Sequence, residues 1–213
     1  MSRIEIETFL QITEVKRIYS ALETTLLKTS PACIVVTSAR PGEGKTITTA
    51  GLACTTAHYN KKRILAMDLN WYAPSLHTYF GVNLIDARSI KSEITVSEHV
   101  QKSGIDHLDI FPAVVSSQEG PSAAFDGHLI SAELVTQAIN NYDIVFIDTS
   151  AMFPVNRNML DPVVIAKKAD GVVLVILVGE TSRQQVKAAK VALETAGAKI
   201  SGVIVNQWRN PLA

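Results

Sequence analysis

Cysteine is nearly absent, with two in 213 residues. Cys33 and Cys54 sit among small and aliphatic neighbours, so two buried, reduced thiols are expected rather than a disulfide or a metal pair. Net charge is missing as well. Lys plus Arg and Asp plus Glu are each 20, so no overall field would hold nucleic acid or an anionic membrane, and such a partner would need a local patch. No apolar run is long enough to cross a bilayer, the longest aliphatic stretch being Val172 to Val178. Glu5 and Glu7 stand where a signal peptide would be apolar, which together with that short run predicts a cytoplasmic protein with no direct membrane insertion. His58, His77, His99, His107 and His128 show no paired ligand spacing, so a zinc site is not expected. No GxSxG elbow surrounds Ser38, which removes it as a hydrolase nucleophile. Internal repeats and low-complexity tracts are lacking too.

What is present is core. Apolar residues make up 47% and charged residues 19%, which suits one α/β domain. An N-terminal helical segment (1–31) is expected to precede a domain over 32–213. Val15, Tyr19, Leu22 and Leu26 recur at helical spacing and predict a helix over 5–28, ended by Ser30-Pro31. A strand at 32–38, a helix at about 45–59 and a strand at 63–68 follow. Residues 71–105 hold Pro74, Gly81 and Gly104 without strong periodicity, so short helices and loops are expected there. Then come a strand at 108–115, a loop at 116–121, a helix over 127–140 and strands at 142–148 and 170–178. A helix capped by Thr181 or Ser182 and stopped by Gly197 leads to a last strand at 200–206. Such alternation predicts a doubly wound, mainly parallel sheet whose ligands bind at the carboxyl ends of the strands.

The first strand runs into Thr37-Ser38-Ala39-Arg40-Pro41-Gly42-Glu43-Gly44-Lys45-Thr46. A buried strand, a Gly-rich turn and a helix opening at Lys45 make a phosphate cradle, because free N–H groups and a positive dipole end face the turn. Residues Arg40, Pro41, Gly42, Glu43, Gly44, Lys45, Thr46 and Ile47 are the expected nucleotide contacts. Gly42 and Gly44 let the backbone approach phosphate, Lys45 adds charge over the outer phosphates, and the Thr46 hydroxyl is the expected Mg²⁺ ligand. The usual first glycine is Ala39. Asp68 and Asp148 each end an apolar strand, an expensive place for a charge unless it is solvated, paired or bound to metal. With Lys45 they are the candidate catalytic residues, and with Thr46 the candidate metal ligands. Their alternative reading is as strand-end helix caps.

Taken in order and spacing, these elements resemble the cytoplasmic domain of the bacterial tyrosine kinases (BY-kinases), a branch of the P-loop proteins that also includes the Min and Par ATPases. The likeness spans residues 14–209. Val36 to Thr46 resembles their Walker A motif, including Pro-Gly-Glu-Gly and the absent first glycine. Arg63 to Asn70, followed by Pro74-Ser75-Leu76-His77, resembles the second Walker element, and Tyr142 to Thr149 resembles Walker B. Ala169-Asp170-Gly171 and Gly202 to Asn206 match the closing segments. The resemblance implies a P-loop fold binding ATP or ADP with Mg²⁺, metal held through water by Asp68 and Asp148, and Asn206 near the base. Asn206 is otherwise a strand-end amide satisfying backbone.

Several positions depart from that pattern. The second carboxylate of Asp-x-Asp is Asn70, which positions water or substrate but accepts no proton. Where the family's assembly helix has Glu-x-x-Arg-x-x-Arg, this chain has Arg17, Ser20 and Glu23, so a monomer or homodimer is expected rather than a ring. Its tyrosines, Tyr19, Tyr59, Tyr72, Tyr79 and Tyr142, form no C-terminal cluster. Arg40 stands where Min and Par ATPases place a lysine that reaches a partner's nucleotide; its plainer reading is an exposed loop residue. Trp71 and Tyr72 form either a patch near the site or ordinary packing, and Arg183, Lys187 and Lys190 read as a solvated helix face. The implied activity is phosphoryl transfer from Mg·ATP to a protein tyrosine or water in the regulation of polysaccharide synthesis or export, with a membrane-protein activator or export component as partner. The alternatives are an ATP-dependent switch of the Min and Par type and a nucleotide-binding regulatory module without turnover.

Overall fold

A run of β-branched and small residues, Ala32–Ser38, forms β1, and every residue of it is buried. The computed structural model describes residues 13–26, 28, 30–90, 93–115, 127–153 and 159–207. On one side β1 pairs in parallel with β7 (Ile144–Asp148), Val36 opposite Asp148, and on the other with β8 (Gly171–Leu177), Val35 opposite Val172. Beyond β7 lie β2 (Ile64–Asp68), β5 (Leu108–Phe111) and β4 (Gln101–Ile105), while β9 (Ile200–Asn206) borders β8. The order is β4-β5-β2-β7-β1-β8-β9, parallel except for the antiparallel edge strand β4.

Both sheet faces are covered, which is why these strands read as continuous apolar runs instead of alternating ones. Successive side chains point to opposite faces. Val35, Leu65, Met67, Val145 and Ile147 join the core under α5 (Gly127–Asn141) and α7 (Arg183–Thr195). Ile34, Val36, Ile64, Ala66 and Phe146 join the core under α1 (Thr13–Thr25) and α2 (Lys45–Tyr59). Tyr19, Leu22 and Leu26, three of the four residues whose spacing predicts the first helix, are buried in this second core. Leu26 lies so close to β8 that a Cβ on Gly171 would stand 2.5 Å from its Cδ1.

Several boundaries differ from the sequence expectations. The helix expected over 5–28 runs from Thr13 to Thr25, and residues 1–12 lie outside the described residues. The strand expected at 108–115 is broken at Pro112, which has no N–H for a ladder. Its first part is β5, and its second, β6 (Val114–Val115), pairs with β3 (Ile85–Asp86) in a separate two-stranded sheet. Short helices α3 (Leu76–Phe80) and α4 (Val96–His99) occupy the segment 71–105 as expected, but Gln101–Ile105 is a strand and not a loop. The helix α6 (Pro162–Ala166), capped by Asp161, was not anticipated. The loop at 116–121 lies outside the described residues. Ser182, not Thr181, caps α7, with Gln185 completing a capping box, and Gly197 follows the helix at φ 84°. Both cysteines are buried and free. Burial pushes both thiols up, Cys54 to about 12.

Candidate functional site

The carboxyl ends of β1, β2, β7 and β9 converge on the Gly-rich loop. Gly42 and Gly44 have φ of 82° and 97°, a region open to glycine and costly for other residues. Ala39 is not in that region, since His107 is the non-glycine residue with positive φ among those described. The missing first glycine therefore carries no backbone strain. Gly44 is constrained a second time, because a Cβ there would stand 2.6 Å from Asn206 Nδ2. The α2 helix starts directly after it, and its first bond beyond the loop is from Thr48 N to Gly44 O, 3.1 Å. The N–H groups of the preceding first turn have no acceptor within the helix and remain for an anion.

Lys45 opens α2 and is 6% exposed. Burial lowers its pKa, while the nearby carboxylates of Asp148, Glu43 and Asp68 act in the opposite sense. Thr46 donates its hydroxyl proton to Asp148 Oδ2 at 2.6 Å, and Ser75 in turn donates to Thr46 Oγ1 at 2.9 Å. Asp148 Oδ1 is buried with no partner among the described residues.

Asp68 lies opposite Asp148 in the β2–β7 ladder, yet its oxygens are engaged. Oδ1 accepts the N–H of Asn70 at 3.0 Å, and Oδ2 accepts those of Ser75 at 3.2 Å and Leu76 at 3.0 Å. It therefore caps the start of α3, the alternative role weighed for it from the sequence. Burial holds both carboxyls above the ordinary carboxylate range, and the charge of Asp68 adds to the effect at Asp148. Such a pair resists double ionisation unless a cation arrives. Hard oxygen donors, an orphaned carboxylate oxygen and an adjacent hydroxyl suit Mg²⁺, which commonly uses one or two carboxylates and completes its shell with phosphates and water.

The remaining expected contacts divide. Asn206 Nδ2 donates to Glu43 O at 3.0 Å, so the strand-end amide does satisfy loop backbone. Pro41 is exposed and Ile47 half-buried. Arg40 is exposed, and its guanidinium donates to Glu180 O at 3.2 Å. Glu43 is 1% exposed, and its carboxylate accepts from the Arg40 N–H at 2.9 Å and from the Thr181 hydroxyl. Asn70 Nδ2 donates to Ala73 O at 2.7 Å, leaving its buried Oδ1 without a partner among the described residues. Trp71 packs on the core under α5 while Tyr72 is exposed, so the two form no common patch. On α1, Arg17, Ser20 and Glu23 are all exposed, and Glu23 accepts from Tyr19. Sequence reasoning assigned no role to Ser75, although it lies within a quoted motif, and nothing in the chain pointed to Thr181 as a neighbour of Glu43.

Residues 34–213 match the model of the CobQ/CobB/MinD/ParA nucleotide binding domain. The tyrosine-protein kinase YwqD of Bacillus subtilis is 35% identical over 179 residues, covering 81% of this chain and 71% of YwqD. The kinase domain of the Escherichia coli tyrosine kinase ETK superposes with a TM-score of 0.75 at 23% identity, covering 93% of this chain and 76% of that domain. MinD from Pyrococcus horikoshii, complexed with Mg-ADP, superposes with a TM-score of 0.64 at 18% identity over 85% of this chain and 72% of its own.

Proposed function

Because the chain belongs to the CobQ/CobB/MinD/ParA nucleotide-binding family, among the bacterial tyrosine-protein kinases, we propose that it binds Mg·ATP at residues 39–46 and transfers the γ-phosphoryl group to a protein tyrosine or to water. The observation that carries this reading is the unpartnered Asp148 Oδ1, set beside the Thr46 hydroxyl at the N-terminus of α2. Thr46, Asp148 and, through water, Asp68 would hold the metal, which supplies positive charge against the phosphates. Lys45 and the free N–H groups of α2 bind and orient the phosphates. Asn206 shapes the loop at Gly44 and borders the base. Arg40, on the exposed rim, serves a loop-anchoring role through Glu180.

The setting we propose is regulation of polysaccharide synthesis or export, with a membrane-protein activator or export component bringing the chain to the inner face of the membrane. Among the described residues no helix is long and apolar enough to cross a membrane. A second reading, an ATP-governed switch, is favoured by Asn70, whose amide orients a hydroxyl without deprotonating it. Incubation with γ-labelled ATP, with and without a tyrosine-containing acceptor, separates the readings. Label on the acceptor supports the kinase, released phosphate alone supports the switch, and neither with intact binding leaves a regulatory module. Light scattering is expected to show a monomer or homodimer.

A further inference from the structure

The Glu43 carboxylate faces away from the bonds expected of a phosphate contact. A buried anion in a loop that must receive phosphates would repel them unless its charge were spent elsewhere. Here it is spent on the loop's own frame. One carboxylate oxygen accepts the Arg40 N–H at 2.9 Å, three residues back, and so closes the turn on itself. The other accepts the hydroxyl of Thr181. Thr181 is itself fixed, because its Oγ1 accepts the N–H of Leu177 at 2.8 Å at the end of β8. The Glu43 carbonyl, meanwhile, takes the amide of Asn206 at the end of β9. A single residue thus ties the loop to two strand ends that carry none of the phosphate-binding residues.

We infer that Glu43 is a positioning residue, which holds the 40–44 turn in its anion-receiving shape through Thr181, so that nucleotide enters a cradle already formed. This rests on the nucleotide-binding reading above. Fixing the turn in advance removes an ordering cost that binding would otherwise bear. Both heads of the carboxylate accept here, so the turn needs a side chain that bonds at both ends more than it needs an anion. Glutamine satisfies that need: its oxygen accepts from Arg40 N–H, and its NH₂ donates to Thr181 Oγ1 once the Thr181 proton turns away.

The test measures Mg·ADP affinity by calorimetry, together with hydrogen exchange at the Arg40 amide in the nucleotide-free protein. Glu43→Ala is expected to lose at least tenfold in affinity and to expose the Arg40 amide to exchange, while Glu43→Gln recovers most of both. Thr181→Val, which leaves the loop sequence untouched, is expected to reproduce a weaker version of the loss, and Thr181→Ser to restore it. A loop residue of structural importance alone would lower the melting temperature and leave affinity per folded molecule unchanged. That result, or a Glu43→Gln variant as weak as Glu43→Ala, overturns the inference. If the wild-type protein binds no nucleotide, the functional reading fails. The exchange arm still decides the brace: an Arg40 amide equally protected in wild type and Glu43→Ala refutes it.

Discussion

Asp68 and Asp148 end adjacent strands, face each other in register and are both fully buried, yet they are equipped for different tasks. Asp68 accepts three backbone N–H groups from the chain that follows it. Asp148 accepts the Thr46 hydroxyl on Oδ2, while its buried Oδ1 has no partner among the described residues. A carboxylate held by three backbone N–H groups is anchored first by the fold, which leaves it at most a water-mediated part in binding. One left half-satisfied beside a lysine and a helix N-terminus is kept for something the protein binds.

The widest separation is expected on truncating each. Asp68→Ala orphans two buried donors and one part-buried donor, at about 1–3 kcal/mol for each buried one, offset by relief of a buried charge, for a net loss of about 2–5 kcal/mol. Asp148→Ala orphans little and removes a raised carboxyl, so its nucleotide-free stability should change by less than about 1 kcal/mol, while Mg²⁺-dependent nucleotide binding and turnover collapse. Urea unfolding beside calorimetry reads both. Equal stability losses would erase the distinction.

Lys45→Ala removes the cation that both aspartates share. A charge-assisted bond to phosphate is worth about 1.5–3 kcal/mol, so affinity should fall roughly ten- to hundredfold. Unchanged binding would displace the site from this loop.

pH sharpens the comparison next. Burial raises both folded-state pKa values, so their favourable contribution is complete below about pH 4, the unfolded value. It is lost as pH rises through the folded values, where unfolding releases a proton the native state retains. Asp148→Asn removes one of the two titrations, so the melting temperature of the nucleotide-free variant should gain on wild type as pH increases. A constant difference between pH 4 and 8 would show that Asp148 ionises normally.

Ser75 joins the two halves, since its N–H reaches Asp68 and its hydroxyl reaches Thr46. Ser75→Ala should cost only about 0.5–1.5 kcal/mol in stability. A much larger loss in urea unfolding would mean that the two carboxylates form one cooperative network.

Much of this was legible in the residues. The strand Ala32–Ser38, the helix Lys45–Tyr59 and the strand Ile200–Asn206 fall where the pattern places them, because each is bounded by turn or cap chemistry. Gln101–Ile105 was not legible. It is an edge strand whose first four residues are polar or small, formed by antiparallel pairing with β5 and not by any periodicity of its own. The break at Pro112 was visible as a residue but not as a change of sheet, because only the partner strand at Ile85 decides it. In the site, Lys45, Thr46 and the two aspartates were readable from motif spacing. The partners of Glu43 were not, for Thr181 lies 138 positions away and no local signal joins them.

The position of β1 in the sheet carries a consequence for how the chain is made. It is the earliest strand among the described residues, but its neighbours β7 and β8 end at Asp148 and Leu177. Synthesised from its N-terminus, the chain holds a largely apolar strand without a mate until more than a hundred further residues have emerged. Pairings of such long sequence separation are slow to form, and unpaired strand edges in the waiting chain favour aggregation. Truncation before β7 should therefore leave ribosome-bound chains protease-sensitive throughout β1, and protection should appear only once β7 and then β8 clear the exit tunnel.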